Sequence, residues 1–276
     1  TLAQHSNTAG RIQTNMLDAR VAAKDYLDTG DDASADQVNQ AVDRVQGFIG
    51  ELEERTRDPG RREQLAKLDE DMAAYETTFG QVETRQERAD AIVADTISQQ
   101  IPRAEGNLSE VMESSYRAGN AEGAYRAGLT LRHLLLAEAF TNRYVDDARP
   151  EDVQRVKAEL SGLMETGARM LESLTANAQR DSAEAAMDAA GQVQEAVAEL
   201  ETVISERERL VAQVDELGGQ VDAEATNYKR ALLERQDTLG DATESLVATD
   251  LIITVVVAVV AVVLGALAAF AIGRGI

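Results

Sequence analysis

Apolar residues recur every three or four positions along most of this chain, and this spacing most constrains the fold. In the first predicted helix, over residues 2–29, the stripe consists of Ala9, Ile12, Met16, Ala19, Ala23 and Tyr26. In the second predicted helix it consists of Val38, Ala41, Val45, Phe48 and Leu52. Such a stripe covers one face of a helix, turn after turn. Almost no segment alternates as a strand does, so we expect an all-α protein.

Turn-like stretches near residues 31, 59, 120, 149 and 179 divide this pattern into helices. The six predicted helices cover residues 2–29, 34–57, 60–118, 121–147, 151–177 and 182–249. Asp32 or Ser34 is the predicted N-cap of the second helix, and Asp181 or Ser182 that of the sixth. Pro102, inside the third helix, should kink it.

Two of these helices are long and four are short, which predicts two stacked four-helix bundles. The proximal bundle would contain about residues 1–85 with 215–249, and the distal bundle about residues 90–210. One long antiparallel coiled coil is the alternative, but the frequent turns favour helical hairpins.

The C-terminal stretch from Leu251 to Gly273 contains no charged residue. A bilayer core needs about 20 helical residues, so we expect a transmembrane helix over residues 250–273. A buried core helix is the alternative, although a core helix of this length normally has a polar face. Only Arg274 follows the stretch, which favours residues 1–249 outside the cytoplasm. We expect a fragment of a longer membrane protein.

The charge balance excludes some classes of function. The chain has 27 Lys and Arg against 49 Asp and Glu, a net charge of −22, so nucleic acid is not an expected partner. It has no cysteine, hence no disulfide and no thiol nucleophile. Neither His5 nor His133 has a glutamate three residues before it, as a di-metal bundle site requires, and neither a nucleophile elbow nor a phosphate loop occurs. We expect no catalytic residue, no metal and no cofactor.

One segment resembles a known family. The stretch "ARVAAKDYLDTGDD", Ala19 to Asp32, is similar to the first helix of bacterial chemoreceptor sensor domains. Arg20, Lys24, Asp25 and Tyr26 match the pattern in these domains, whereas Ala22 replaces a basic or polar residue. "AFTNRYVDD", from residue 139 to 147, resembles the end of the fourth helix of such domains. "AIGRGI", from residue 271 to 276, resembles the entry to a HAMP linker, which would begin at residues 274–276. The whole layout is similar to the helical bimodular sensor domain.

This resemblance implies a methyl-accepting chemotaxis receptor in the bacterial inner membrane, with residues 1–249 in the periplasm. Relatives bind small organic acids, with dicarboxylates or tricarboxylates near the membrane and an acetate-like carboxylate in the distal bundle. The resemblance also implies a homodimer that controls a downstream kinase and adaptor through a cytoplasmic region. The alternatives are the sensor region of a histidine kinase or cyclase, a receptor that contacts a periplasmic binding protein, and a ligand-free helical stalk.

The candidate ligand contacts are polar side chains that fall in comparable layers above the membrane. Residue 235 lies about fifteen residues above Asp250, roughly 22 Å, and the first helix starts near the same surface. The proximal candidates are Arg11, Asn15, Arg20, Tyr75, Tyr228 and Arg235. Arginine would bind a carboxylate with two hydrogen bonds, and tyrosine and asparagine would orient it.

The distal candidates interrupt an apolar stretch of the fourth predicted helix. They are Arg132, His133, Asn142 and Arg143. Each arginine could instead form a surface ion pair. His133 could be an ordinary core or rim residue, and Asn142 could bind a neighbouring helix.

Overall fold

The computed structural model describes the backbone of residues 2–274 and the side chains of residues 4–236 and 238. Its elements are α1 (Leu2–Thr29), α2 (Asp32–Arg55), α3 (Pro59–Ile92), a π-helical segment (Val93–Ile97), α4 (Ser98–Arg117), α5 (Ala121–Asp147), α6 (Pro150–Ser173) and α7 (Asn177–Arg274). Because helix continues from α3 through the π segment into α4, these elements form six helices. Within the described backbone there is no strand, so the all-α prediction is confirmed.

The chain divides into two compact units. The first contains the residues up to Val21, Val38–Met72 and the chain from Gly219 onward. The second contains Ala22–Gln37 and Ala73–Gly218. The bundle limits drawn from the sequence stay a prediction.

Four helices supply the buried side chains of the first unit. Those of α1 and α2 include Ile12, Met16, Val45, Ile49 and Leu52, and those of α3 and α7 include Leu65, Leu68, Met72, Val221 and Leu232. The predicted stripe of α1 is buried throughout. Phe48, predicted to lie in the core, is only half-buried, and its neighbour Ile49 is fully buried instead.

The core of the second unit contains small and medium-sized apolar side chains from Ala89 to Ile204. In the same unit, Tyr26 of α1 is buried with its ring 5.6 Å from that of Phe79 of α3. Ala22 is also buried. A basic or polar residue, as in the related pattern, would therefore lose hydration at this position.

The third helix changes its hydrogen bonding upstream of Pro102. The backbone N–H of Ser98 donates to the carbonyl of Val93, five residues back, as in a π turn. Pro102 lies inside α4 and has no N–H to offer the carbonyl of Ser98. The irregular hydrogen bonding therefore lies just before the proline.

Two predicted N-caps are wrong. The cap of α2 is Asp31, whose Oδ1 accepts a hydrogen bond of 2.7 Å from the N–H of Ser34, and the helix begins at Asp32. α7 begins at Asn177, so Asp181 and Ser182 lie inside the helix. Gln179 is buried in the first turn of α7 and donates to Ser114 Oγ at 3.3 Å, a tertiary contact that supports this earlier start.

In the part of the chain whose side chains are described, no helix is long and apolar enough to cross a membrane. The predicted span, residues 250–273, lies outside that part of the chain.

Candidate functional site

One flank of α1 carries Arg11 and Asn15, and both contact α2. The guanidinium of Arg11 lies 4.2 Å from the ring centroid of Phe48, in a cation–π arrangement. Asn15 donates to the carbonyl of Arg11 at 2.8 Å and accepts from Nε of Arg44 at 2.6 Å. These contacts join α1 to α2, and the Arg11 side chain covers part of the Phe48 ring.

The opposite flank of α1 borders α7 and contains a groove. The groove has a volume of about 330 Å³ and is lined by Gln13, Thr14, Met16, Leu17, Arg20 and Asp222. Gln13 Nε2 donates to Thr226 Oγ1 at 2.7 Å, which links the two helices beside the groove. Lys229, about one turn after Thr226 on α7, also approaches α1. Its Nζ lies 3.9 Å from the point that a Cβ on Gly10 would occupy.

Helical geometry explains why the two arginines of α1 that were predicted to contact one ligand lie on different flanks of the helix. Arg11 and Arg20 are nine residues apart, and at about 100° per residue they point about 180° apart around the axis. They also lie about 14 Å apart along the axis, and only Arg20 lines the groove.

The other proximal candidates have different surroundings. Tyr228 is 1% exposed, and its hydroxyl lies 3.0 Å from Thr56 Oγ1 in a buried hydrogen bond. Tyr75 is fully buried and belongs to the second unit. Arg235 is exposed. The backbone N–H of Arg61 holds the pKa of Asp58 below its ordinary value, and the charge of Arg235 contributes to this shift.

The distal candidates lie on α5 and are partly engaged with α6. His133 Nδ1 lies 2.6 Å from Glu159 Oε2, and the ring occupies the space that a Cβ on Gly162 would need. Arg143 lies 3.3 Å from the buried carboxylate of Asp152. Arg132 and Asn142 are exposed. A contact between any of these residues and a ligand stays a prediction.

Three polar residues of the groove were missed in the sequence. Gln13 and Thr14 lie three to four residues before Leu17, and Arg20 follows three residues later, so a helical-wheel reading would have placed them on one flank. Asp222 of α7 had no such signal, because only packing decides which turn of α7 faces α1.

The lining of the groove suits a small polar molecule. Over the described residues, no group of three or more His, Cys, Asp or Glu side chains could hold a metal ion. A guanidinium, a carboxylate, an amide and a hydroxyl line the groove beside two apolar side chains. These groups suit binding by hydrogen bonds and charge.

No model of a known protein family matches this chain, and neither does any curated protein.

Proposed function

We propose that this chain is the sensor region of a bacterial chemotaxis transducer that binds a small organic acid. The observation that carries this proposal is the continuity of α7. It is a single helix of 98 residues, Asn177–Arg274, that contributes Asp222 to the groove and continues into the uncharged segment from Leu251 to Gly273.

The groove supplies the binding chemistry. The guanidinium of Arg20 is the group that suits a carboxylate, since it can donate two parallel hydrogen bonds. Gln13 and Thr14 add neutral polar groups on the same flank of α1. In a chain of net charge −22, an arginine in a groove offers an anion a local positive site.

A ligand in this groove would bind both α1 and α7. It would therefore favour the relative placement of the two helices that suits it best. Displacements of about 1–2 Å between helices are common in switches of this kind. Because α7 is continuous, a shift at Asp222 would be passed along the helix toward its C-terminal segment.

The remaining parts of the proposal follow from the sequence. Residues 250–273 cross the bacterial inner membrane, residues 1–249 lie in the periplasm, and residues 274–276 begin a HAMP-like linker. The transducer is a homodimer that controls a kinase and an adaptor through a cytoplasmic region. Neighbouring charges support this orientation, because Asp250 precedes the uncharged segment and Arg274 follows it.

Titration calorimetry of the full chain in lipid nanodiscs tests the proposal. The ligands are acetate, succinate, citrate and a set of amino acids. We expect at least one to release or absorb heat, and we expect Arg20→Gln to abolish that signal. Arg62→Gln, which removes an exposed arginine of α3 in the same unit, is the matched control and should bind as the unaltered chain does.

Two results would contradict the proposal. If no acid binds and none changes the thermal stability of the chain, a ligand-free helical stalk explains the fold better. If binding survives in Arg20→Gln, the ligand does not use the groove between α1 and α7.

A further inference from the structure

The groove between α1 and α7 carries both signs of charge. Arg20 of α1 and Asp222 of α7 line it together, and both belong to the first unit. A site for a dicarboxylate would be expected to hold cations and neutral donors only. The carboxylate of Asp222 therefore bears on the class of ligand.

A second carboxylate on the ligand would meet repulsion from Asp222. An ammonium group at the same place would form a charge-assisted hydrogen bond with it instead. The net charge of −22 acts in the same direction. It disfavours the approach of a dianion, whereas a zwitterion has no net charge to be repelled.

The apolar side chains of the groove add a third feature. Met16 forms part of the buried core, and Leu17 is 60% exposed. Both line the groove with Arg20 and Asp222. A ligand with a short aliphatic group would cover part of Leu17 and remove apolar surface from water. The volume of about 330 Å³ is at the small end of the range for ligand sites.

We propose that the groove binds an α-amino acid with a short aliphatic side chain. Arg20 holds the carboxylate, Asp222 holds the ammonium group, and Leu17 contacts the side chain. This inference rests on the proposed function and narrows its ligand class from organic acids in general to zwitterionic ones.

Three related probes separate the contributions. Valine has both charged groups, isovalerate lacks only the amino group, and isobutylamine lacks only the carboxylate. Titration calorimetry of the full chain in nanodiscs should show valine binding at least about tenfold more tightly than isovalerate, because the ammonium gains a charge-assisted hydrogen bond. Isobutylamine should bind more weakly than valine as well.

Variants of Asp222 assign this preference to one side chain. Asp222→Asn should bring the affinities for valine and isovalerate to within about threefold of each other. Asp222→Glu keeps the negative charge and should retain part of the preference. Asp18→Asn, an exposed residue of α1 outside the groove lining, should change neither affinity. Helix content by circular dichroism verifies that each variant is folded.

The outcomes separate this inference from the proposed function. Three results would overturn the amino-acid assignment and leave the proposed acid sensor intact. They are equal binding of valine and isovalerate, tighter binding of succinate than of valine, and a preference for valine that persists in Asp222→Asn. Absence of binding by every acid and amino acid would overturn both.

Discussion

The buried hydrogen bond between Thr56 and Tyr228 gives the sharpest test of the first unit. Tyr228 was a candidate ligand contact, but its hydroxyl lies 3.0 Å from Thr56 Oγ1, and the two residues are 1% and 5% exposed. Thr56→Val should leave the tyrosine hydroxyl buried without a partner. We expect a loss of about 1–3 kcal/mol in the free energy of unfolding.

The opposite change should be milder. In Tyr228→Phe the remaining threonine hydroxyl can turn toward a backbone carbonyl in the preceding turn, so we expect a loss of about 0.5–1.5 kcal/mol. The double variant removes both polar groups. It should be less destabilised than the sum of the two single variants by about 1 kcal/mol.

Urea unfolding followed by circular dichroism at 222 nm measures all four proteins of this cycle. Thr84→Val is the control, because Thr84 is exposed and its hydroxyl donates to the carbonyl of Gly80 in its own helix. It should change stability by less than about 0.5 kcal/mol. Strictly additive losses in the cycle would refute the pairing of the two hydroxyls. Loss of ligand binding in Tyr228→Phe, with the fold intact, would refute the structural role given to Tyr228.

Three further predictions use single side chains. Gly162→Ala should push the ring of His133 away from Glu159, since a Cβ would lie 2.7 Å from the ring. The gain in helix propensity should offset the lost contact, so the free energy of unfolding should change by less than about 1 kcal/mol. An unchanged NMR signal of His133 would contradict the displacement of its ring. The hydroxyl of Thr29 and the N–H of Ser34 lower the pKa of Asp31. The stability that this carboxylate contributes is therefore present above its ordinary pKa and lost as the pH falls through its lowered pKa. In Asp31→Asn, which still caps α2, the melting temperature should no longer show this fall at acid pH. Burial, followed by the charge of Glu83, raises the pKa of Tyr26 from 10.0 to about 12. Stability should fall as the pH rises across that interval, and Tyr26→Phe should remove a component near pH 12 from the tyrosinate absorbance titration.

The helices were predictable because their signal is local. Turn-like stretches identified the bounds of α1 and α5, and apolar spacing of three and four residues identified the buried stripe of α1. The exception in α2 is instructive. Phe48 and Ile49 are adjacent, so they point about 100° apart around the helix, and only Ile49 is fully buried. The sequence does not show that Arg11 covers Phe48 from outside.

Helix starts were less predictable because several neighbouring residues could act as caps. Asp31, Asp32 and Ser34 are all good capping residues, and the turn conformation selects Asp31. At α7 the helix begins five residues before the predicted start, where Gln179 finds a partner on another helix.

The sequence by itself determined the helical character of this protein, its acidic charge and the absence of cysteine chemistry. These properties depend on composition and on spacing along one helix. Only the tertiary structure decided which polar side chains share a surface. Residues predicted for one site can face opposite sides of a helix, as Arg11 and Arg20 do, and the turn of α7 that meets α1 is selected by packing across more than two hundred residues of chain. Height along a helix can be counted in the sequence, but the direction toward a neighbouring helix is set by the packed core.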